Sequence, residues 1–240
     1  MNYYEDALKE FNNVYTKDGV KKLKSNYKES LQKIFFVIYA INYLKNRIET
    51  KNNFSNEYFE ISFSCLLESY SLIMNNYPRG SALVLRSSLE NFLKSIIYIH
   101  NKKCNKKYHI NDRSYTENKK TLETIIQSDY FEYLKKKSTT LNSQMESEYK
   151  SLSGLSHSLV PESKNNIIKY FSEIDKFNED NITIVLKKIL NVAKYIFGFC
   201  AIISQPSLKN WESDDLKKLL RLVYRGKNTA ERFFEILKEI

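Results

Sequence analysis

Two short stretches of the sequence carry side chains whose types and spacing suit chemistry on a phosphate ester. In the first, Arg86, Glu90 and Lys94 follow one another at intervals of four residues, so on a helix they form one charged stripe. In the second, His157 stands among serines in "SLSGLSHSLV", where small side chains let a substrate come close. A histidine transfers protons near neutral pH, and an arginine holds and neutralises a phosphate. These residues are therefore the candidates for a site.

The same residues also have a purely structural interpretation. Arg86 and Glu90 then form an ion pair one helical turn apart, worth a few tenths of a kcal/mol, and His157 only helps to end a helix. The residues alone leave both interpretations open.

The sequence patterns of several enzyme classes and of structural zinc sites are absent. There is no Gly-rich phosphate loop, no serine in a nucleophile elbow and no Cys-x-x-Cys pair. His100, Cys104 and His109 lie close together, but their spacing in a lysine-rich segment matches known zinc sites poorly. We therefore predict no metal site and no cofactor.

The chain is strongly basic, with a formal net charge of +10 at pH 7. Such a balance permits contact with a nucleic acid or an acidic surface, although a chain so rich in Lys, Asn, Ile and Tyr can also reflect the base composition of its gene. The residues that we expect to attract a phosphate backbone are Lys94, Lys102, Lys103, Lys106, Lys107, Lys135, Lys136 and Lys137.

Helical periodicity runs through most of the 240 residues, and only five glycines and three prolines interrupt it. We expect an all-α protein that forms one domain over residues 1–240. The predicted helices are 2–12, 21–49, 56–75, 79–100, 119–128, 130–136, 139–155, 181–203 and two in the tail after Trp211. Residues 101–120, with many cations and few large apolar side chains, are predicted to be an exposed loop.

Three widely spaced cysteines, Cys65, Cys104 and Cys200, form no disulfide framework and indicate a reducing compartment. The N-terminus is polar and unlike a secretory signal, and the most apolar segments are too short or interrupted for a clean membrane span. We expect a cytoplasmic protein without membrane contact.

The run "YSLIMNNYPRGSALVLRSSLENFLKSIIYI", residues 70–99, resembles the helical pair of HEPN-like bacterial proteins, in which a short turn leads into a helix with an Arg-x-x-x-Glu core. The later "LSGLSH", Leu152 to His157, resembles a helix-end motif of some branches of that superfamily. The resemblance covers about residues 60–165. It implies an antiparallel helical bundle, with a HEPN-like core of about 20–205 and a C-terminal helical extension of about 206–240. The arginine helix and the histidine segment would face each other.

Many HEPN proteins are metal-independent endoribonucleases of toxin and antiviral defence systems, and many form homodimers. By this resemblance His157 would move the proton as the ribose 2′-hydroxyl attacks the phosphate, Arg86 would hold that phosphate and Glu90 would orient Arg86 or His157. The usual nuclease motif places an arginine four to six residues before the histidine. Here the nearest candidates are Tyr149 and Lys150, so Arg86 would have to supply the missing cation.

Two alternatives are not enzymes. The first is an accessory subunit that keeps the helical bundle without an active site and binds RNA, DNA or a partner protein encoded nearby. The second is an interaction module that needs no polyanion. RNA bound to the purified protein and released by salt would separate the first from the second.

Overall fold

The structure is a computed structural model that describes residues 2–15, 26–128, 135–156 and 179–238. Every regular element in these ranges is an α-helix, as the periodicity predicts. The helices are α1 (Tyr3–Tyr15), α2 (Lys28–Asn46), α3 (Lys51–Phe54), α4 (Glu57–Met74), α5 (Pro78–Cys104), α6 (Tyr115–Ile126), α7 (Lys135–Ser156), α8 (Glu179–Ile203), α9 (Gln205–Leu208), α10 (Ser213–Val223) and α11 (Lys227–Lys238).

Most differences from the predicted elements lie at helix ends, and the short helices α3 and α9 were not predicted. The N-cap of α4 is Asn56, whose side chain accepts a hydrogen bond from the Phe59 amide. Helix α5 continues to Cys104 and ends on Asn105, which has a left-handed backbone with φ of 49°. Helix α6 begins at Tyr115 behind a Ser114 cap. The predicted loop over 101–120 is thus confined to 105–114. The predicted helix over 130–136 falls mostly outside the described residues.

Helices α4 and α5 form an antiparallel pair held together by small polar side chains. The Ser62 hydroxyl donates to the Ser88 carbonyl over 2.9 Å, and the Ser88 hydroxyl donates back to the Ser62 carbonyl over 2.8 Å. Ser69 and Ser81 repeat this exchange two turns along, at 3.0 and 2.8 Å. All four serines are buried. A side chain that bonds to the opposite main chain requires the two backbones to approach closely, so serine at these positions sets the distance between the helices.

The apolar α8 packs along both α2 and α5 in the interior. Phe199 of α8 meets Phe92 of α5 edge to face, with ring centroids 6.1 Å apart. Where α2 and α8 begin, the Tyr27 hydroxyl donates to the Glu179 carbonyl over 3.2 Å. Helix α1 lies antiparallel to α2 and is fixed at both ends by the ring pairs Tyr3–Tyr43 and Phe11–Phe35. Helix α7 covers the side of α5 that faces away from α4.

The C-terminal helices pack onto this bundle and share its apolar core. The Trp211 indole donates to a Glu49 carboxylate oxygen over 3.1 Å, and Tyr224 packs against Phe197 of α8 with ring centroids 6.1 Å apart. The single-domain assignment, and its division into a HEPN-like core and an extension from about residue 206, stay predictions. Among the described helices, none is both long enough and apolar enough to cross a bilayer. The cytoplasmic location also stays a prediction.

Candidate functional site

The charged stripe of α5 lies against α7 and meets a tyrosine there. The Arg86 guanidinium donates to a Glu90 carboxylate oxygen over 3.1 Å and, through Nη2, to the Tyr149 hydroxyl over 2.9 Å. The Tyr149 hydroxyl in turn donates to the same Glu90 oxygen over 2.8 Å. The three side chains thus form a closed triangle, which we call the Arg86 triad. The side chains of Arg86 and Glu90 are 23% and 33% exposed, so this part of the stripe is partly buried.

The side chains around the triad favour the charged form of Arg86 and the neutral form of Tyr149. Burial alone would lower the pKa of Arg86, but the Tyr149 hydroxyl and the Glu90 carboxylate outweigh it, and the pKa is raised. The pKa of Tyr149 is raised first by burial and then by Glu90, which accepts its hydrogen bond. Arg86 is therefore a permanent cation whose charge is already compensated by Glu90.

A second tyrosine from α6 supports the triad. The Tyr115 ring stacks on the Tyr149 ring, with centroids 3.5 Å apart and planes 7° from parallel. The pKa of Tyr115 is raised by burial, with Tyr149 and nearby acids adding to the effect. Beside this stack, Glu146 of α7 pairs with Lys119 and with Lys150, each over 2.8 Å. Three helices therefore meet around the triad through polar contacts.

The predicted catalytic histidine, His157, lies outside the described residues. Helix α7 ends at Ser156, the residue before it. The last turn of α7 contacts the first turns of α5 and α8, where Leu155, Arg79 and Asn181 line a small crevice. Tyr149 lies seven residues before the end of α7, about 10 Å along the helix axis. The arginine beside the end of α7 is thus Arg79, and Arg86 lies about two turns further along α5.

The predicted phosphate-binding lysines fall into two groups. Three of them are held by the protein. Lys94 is 13% exposed and bonds to the Asp112 carbonyl over 3.1 Å. Lys103 reaches the Ile203 carbonyl over 3.5 Å, and Lys137 lies 4.9 Å from the centre of the Phe233 ring. Burial lowers the pKa of both Lys103 and Lys137. Lys94 and Lys137 are therefore less available to a ligand than their sequence positions suggest, whereas Lys103 stays exposed.

The remaining lysines reach solvent or lie beyond the described side chains. Lys102, Lys106 and Lys107 are exposed, and none pairs with a carboxylate in the part of the chain that the structure describes. Lys135 and Lys136 are in the first turn of α7, and their side chains lie outside the described residues. Since α5 and α7 are antiparallel, the end of α5 and the start of α7 lie at the same end of the bundle. We call the six residues Lys102, Lys103, Lys106, Lys107, Lys135 and Lys136 the lysine end.

Four asparagine contacts fix the loop that carries Lys106 and Lys107. The Asn101 side chain donates to the Tyr108 carbonyl and accepts from the Tyr108 amide, at 2.8 and 3.0 Å. The Asn118 side chain makes the same two contacts with the backbone of Asn111, at 2.6 and 2.8 Å. A loop tied to helices on both sides presents its cations in a defined arrangement. The sequence shows four separate asparagines between residues 101 and 118, but not which backbone groups they reach.

The structure brings Arg86 and Glu90 together, as four-residue spacing on a helix requires. It adds Tyr149, Tyr115 and Arg79, which the sequence interpretation did not assign to a site. Tyr149 stood out only as one of two candidates for the missing nuclease arginine. The Ser-x-x-Glu pattern of Ser114 and Glu117 is a helix-start sequence that would have placed α6 correctly.

Comparison with known proteins adds no relative: no protein-family model, curated protein or solved structure matches this chain.

Proposed function

We propose that this protein binds RNA through the lysine end and acts as a helical accessory subunit of a bacterial defence or toxin-like system. The observation that carries the proposal is the cluster of exposed lysines in the last turn of α5 and in the following loop, which Asn101 and Asn118 fix. From Asn101 to Asn111 the chain has four lysines and no acidic residue. The attribution to defence or toxin systems rests on the resemblance to HEPN-like proteins.

The Arg86 triad supports a binding role over a cleaving one. A phosphate that approached Arg86 would have to displace Glu90 and Tyr149 or bind beside a carboxylate. Removing a hydrogen-bonded partner from a partly buried charge is unfavourable by about 1–3 kcal/mol. The exposed lysines of the lysine end need no such rearrangement. Backbone attraction by unpaired lysines is independent of sequence and weakens steeply with salt.

Fluorescence anisotropy with a labelled RNA hairpin, measured over a series of salt concentrations, tests this proposal. The variant Lys106→Gln/Lys107→Gln should bind more weakly, and the slope of log K against log salt should fall by about 1.4–1.8, as expected for the loss of two phosphate contacts. The matched control is Lys28→Gln/Lys187→Gln, which removes two exposed lysines from α2 and α8. It should retain most of the affinity. Equal losses in both variants would indicate general charge attraction and contradict the proposal.

A metal-independent endoribonuclease is the second candidate. It is favoured by one observation: Leu155, in the last turn of α7 and two residues before His157 in the sequence, lines the same crevice as Arg79 of α5. Wild-type protein is incubated with structured RNA and a chelator, and the products are resolved on a gel. Cleavage that is lost in His157→Ala, by a factor of about 10²–10⁴, would establish the enzyme and displace the accessory role.

We also propose a homodimer. The outer face of the α4–α5 pair exposes large apolar side chains, among them Ile61 at 39%, Leu83 at 52% and Tyr98 at 39%. Apolar side chains exposed on adjacent helices are typical of interaction surfaces. Light scattering should give twice the monomer mass at micromolar concentrations, and Leu83→Glu should lower it. A monomer mass for the wild type would rule out this association.

A further inference from the structure

A groove on the opposite side of α2 from α8 takes no part in the proposed function. It lies between α1 and α4, and its volume is about 560 Å³. Phe35 and Ile38 of α2 and Phe63 of α4 form its apolar floor, and Leu67, 43% exposed, stands on one wall. The ring pairs Tyr3–Tyr43 and Phe11–Phe35 hold α1 in place at both ends of the groove, at 4.9 and 5.8 Å.

The wall that α1 contributes is acidic in a basic protein. Asp6 and Glu10 lie one turn apart and both line the groove, with one lysine, Lys9, between them. Tyr39 of α2 lies opposite, and its pKa is raised first by burial and then by the nearby Asp6 and Glu10 carboxylates and the Tyr43 phenol. The two carboxylates and the Tyr39 ring therefore face the same groove. Although the whole chain has a net charge of +10, this wall of the groove carries two carboxylates and one ammonium.

The dimensions favour a small molecule over a partner helix. The floor on α2 runs from Phe35 to Asn42, about 10 Å of helix axis. An amphipathic helix is itself about 10 Å across and needs several turns to dock its apolar face, more than this floor provides. Small-molecule sites have volumes of about 300–1,000 Å³, apolar linings and a few polar groups that orient the ligand. The volume of the groove lies in this range, and its lining combines apolar side chains from α2 and α4 with the polar side chains Asp6, Lys9, Glu10 and Asn42.

We propose that this groove binds a small ligand with an apolar body and a cationic head, such as an aryl or alkyl amine. The apolar body lies on Phe35, Ile38 and Phe63, and the ammonium lies near Asp6 and Glu10. The rings of Phe35 and Tyr39 provide additional attraction for a cation. This binding site is separate from the lysine end and does not depend on RNA binding.

Three probes with the same body and different charges test the proposal: 4-phenylbutylamine, 4-phenylbutanol and 4-phenylbutyrate. Binding is measured by isothermal titration calorimetry at pH 7, where the amine is protonated. We expect the amine to bind about fivefold more tightly than the alcohol, as about 1 kcal/mol of attraction from two exposed carboxylates predicts. The butyrate should bind most weakly.

Two variants locate the binding in the groove. In Asp6→Asn/Glu10→Gln the preference for the amine should disappear while the alcohol binds as before. The matched control, Glu5→Gln/Glu57→Gln, removes two exposed carboxylates outside the groove and should keep the preference. Leu67→Asn should weaken all three probes together. Equal binding of the amine and the alcohol by the wild type, tightest binding of the butyrate, no binding at all, or a preference that survives Asp6→Asn/Glu10→Gln would each overturn the proposal.

Discussion

Helix α5 contacts its two neighbours, α4 and α7, through different kinds of side chain. Towards α4 it presents Ser81 and Ser88, buried residues whose hydroxyls bond to the main chain of the opposite helix. Towards α7 it presents Arg86 and Glu90, side chains that reach Tyr149 and stay partly exposed. The first contact brings two backbones close together. The second joins two helices through long side chains.

Helix α7 also differs from α4 in what it buries. The buried face of α4 includes Phe59, Leu66 and Ile73, whereas α7 buries Ser138, Asn142 and Glu148 among a few apolar side chains. A buried polar group contributes little net free energy even when it is hydrogen-bonded, while a buried leucine contributes about 2 kcal/mol. We infer that the α4–α5 pair is the stable part of the bundle. Helix α7, which leads to His157, opens at lower free energy.

The largest expected effect comes from separating the α4–α5 pair. Ser88→Leu places a large side chain where Ser62 now bonds to the Ser88 carbonyl, so the helices must move apart. Overpacking of this kind lowers the free energy of unfolding by about 1–3 kcal/mol, and we expect the loss for Ser88→Leu to lie at the upper end of this range. Urea denaturation of the variant and of Ser87→Leu, a neighbour only half-buried, measures the difference. Similar losses in both variants would mean that the serine contact does not set the helix separation.

The second expected effect concerns the buried acid of α7. Glu148 accepts from Lys188 and from Asn191 of α8, each over 2.8 Å. Glu148→Gln leaves the Lys188 ammonium without its partner in a mostly covered position and should destabilise by about 2 kcal/mol. Glu146→Gln is the comparison and should have a smaller effect, because Glu146 is itself 24% exposed and one of its two partners, Lys150, is 74% exposed. A larger loss for Glu146→Gln would contradict this assignment.

The sequence predicts two features of the contacts around α5, namely the Arg86–Glu90 pair and the serine contact with α4. The four-residue spacing of Arg86 and Glu90 places them on one helix face, and the structure shows that pair. Serines 62 and 69, and serines 81 and 88, recur at seven-residue intervals, the repeat of a close helix seam, so this contact could have been predicted.

The contact between Arg86 and Tyr149 could not be predicted in the same way. Tyr149 is 63 residues from Arg86, and no local pattern relates a residue on one helix to a residue on another at that separation. The same holds for the lysines. The sequence places Lys94 on a helix and Lys106 in a predicted loop, but it does not show that Lys94 bonds to the Asp112 carbonyl. Helix ends follow from local capping, but side-chain partners depend on how the helices pack.

The third expected effect tests the Arg86 triad directly. Tyr149→Phe removes the hydroxyl that bridges Arg86 and Glu90 and keeps the ring that stacks on Tyr115. Because Arg86 and Glu90 still bond to each other, the loss should be about 1 kcal/mol. Hydrogen exchange should quicken in α7 and stay unchanged in α4. Tyr98→Phe, at an exposed position, is the control and should have no effect. Faster exchange in α4 as well would show that the two sides of α5 are not independent.

The smallest expected effect is a pH dependence at the lysine end, where α5 carries the buried His100. Its ring lies near Tyr108 and 3.3 Å from the Ser128 hydroxyl, and its pKa is lowered from 6.5 by burial and by the positive charge of Lys106. The unfolded chain therefore binds a proton at His100 at a higher pH than the folded protein does.

The contribution of His100 to the free energy of unfolding is therefore complete above about pH 6.5. It falls as the pH drops through the interval between the unfolded and folded pKa values of His100. The fall is at most about 1.4 kcal/mol per pH unit for one proton. The carboxylates with lowered pKa, such as Glu146, lose their contribution only below their ordinary value of 4.5. Urea denaturation at pH 7.5, 6.5 and 5.5 thus isolates the histidine. His100→Phe should flatten the profile over this range, whereas His109→Gln, at an exposed position, should leave it unchanged. A wild-type profile that is already flat over this range would show that folding does not change the protonation of His100, and it would contradict the prediction.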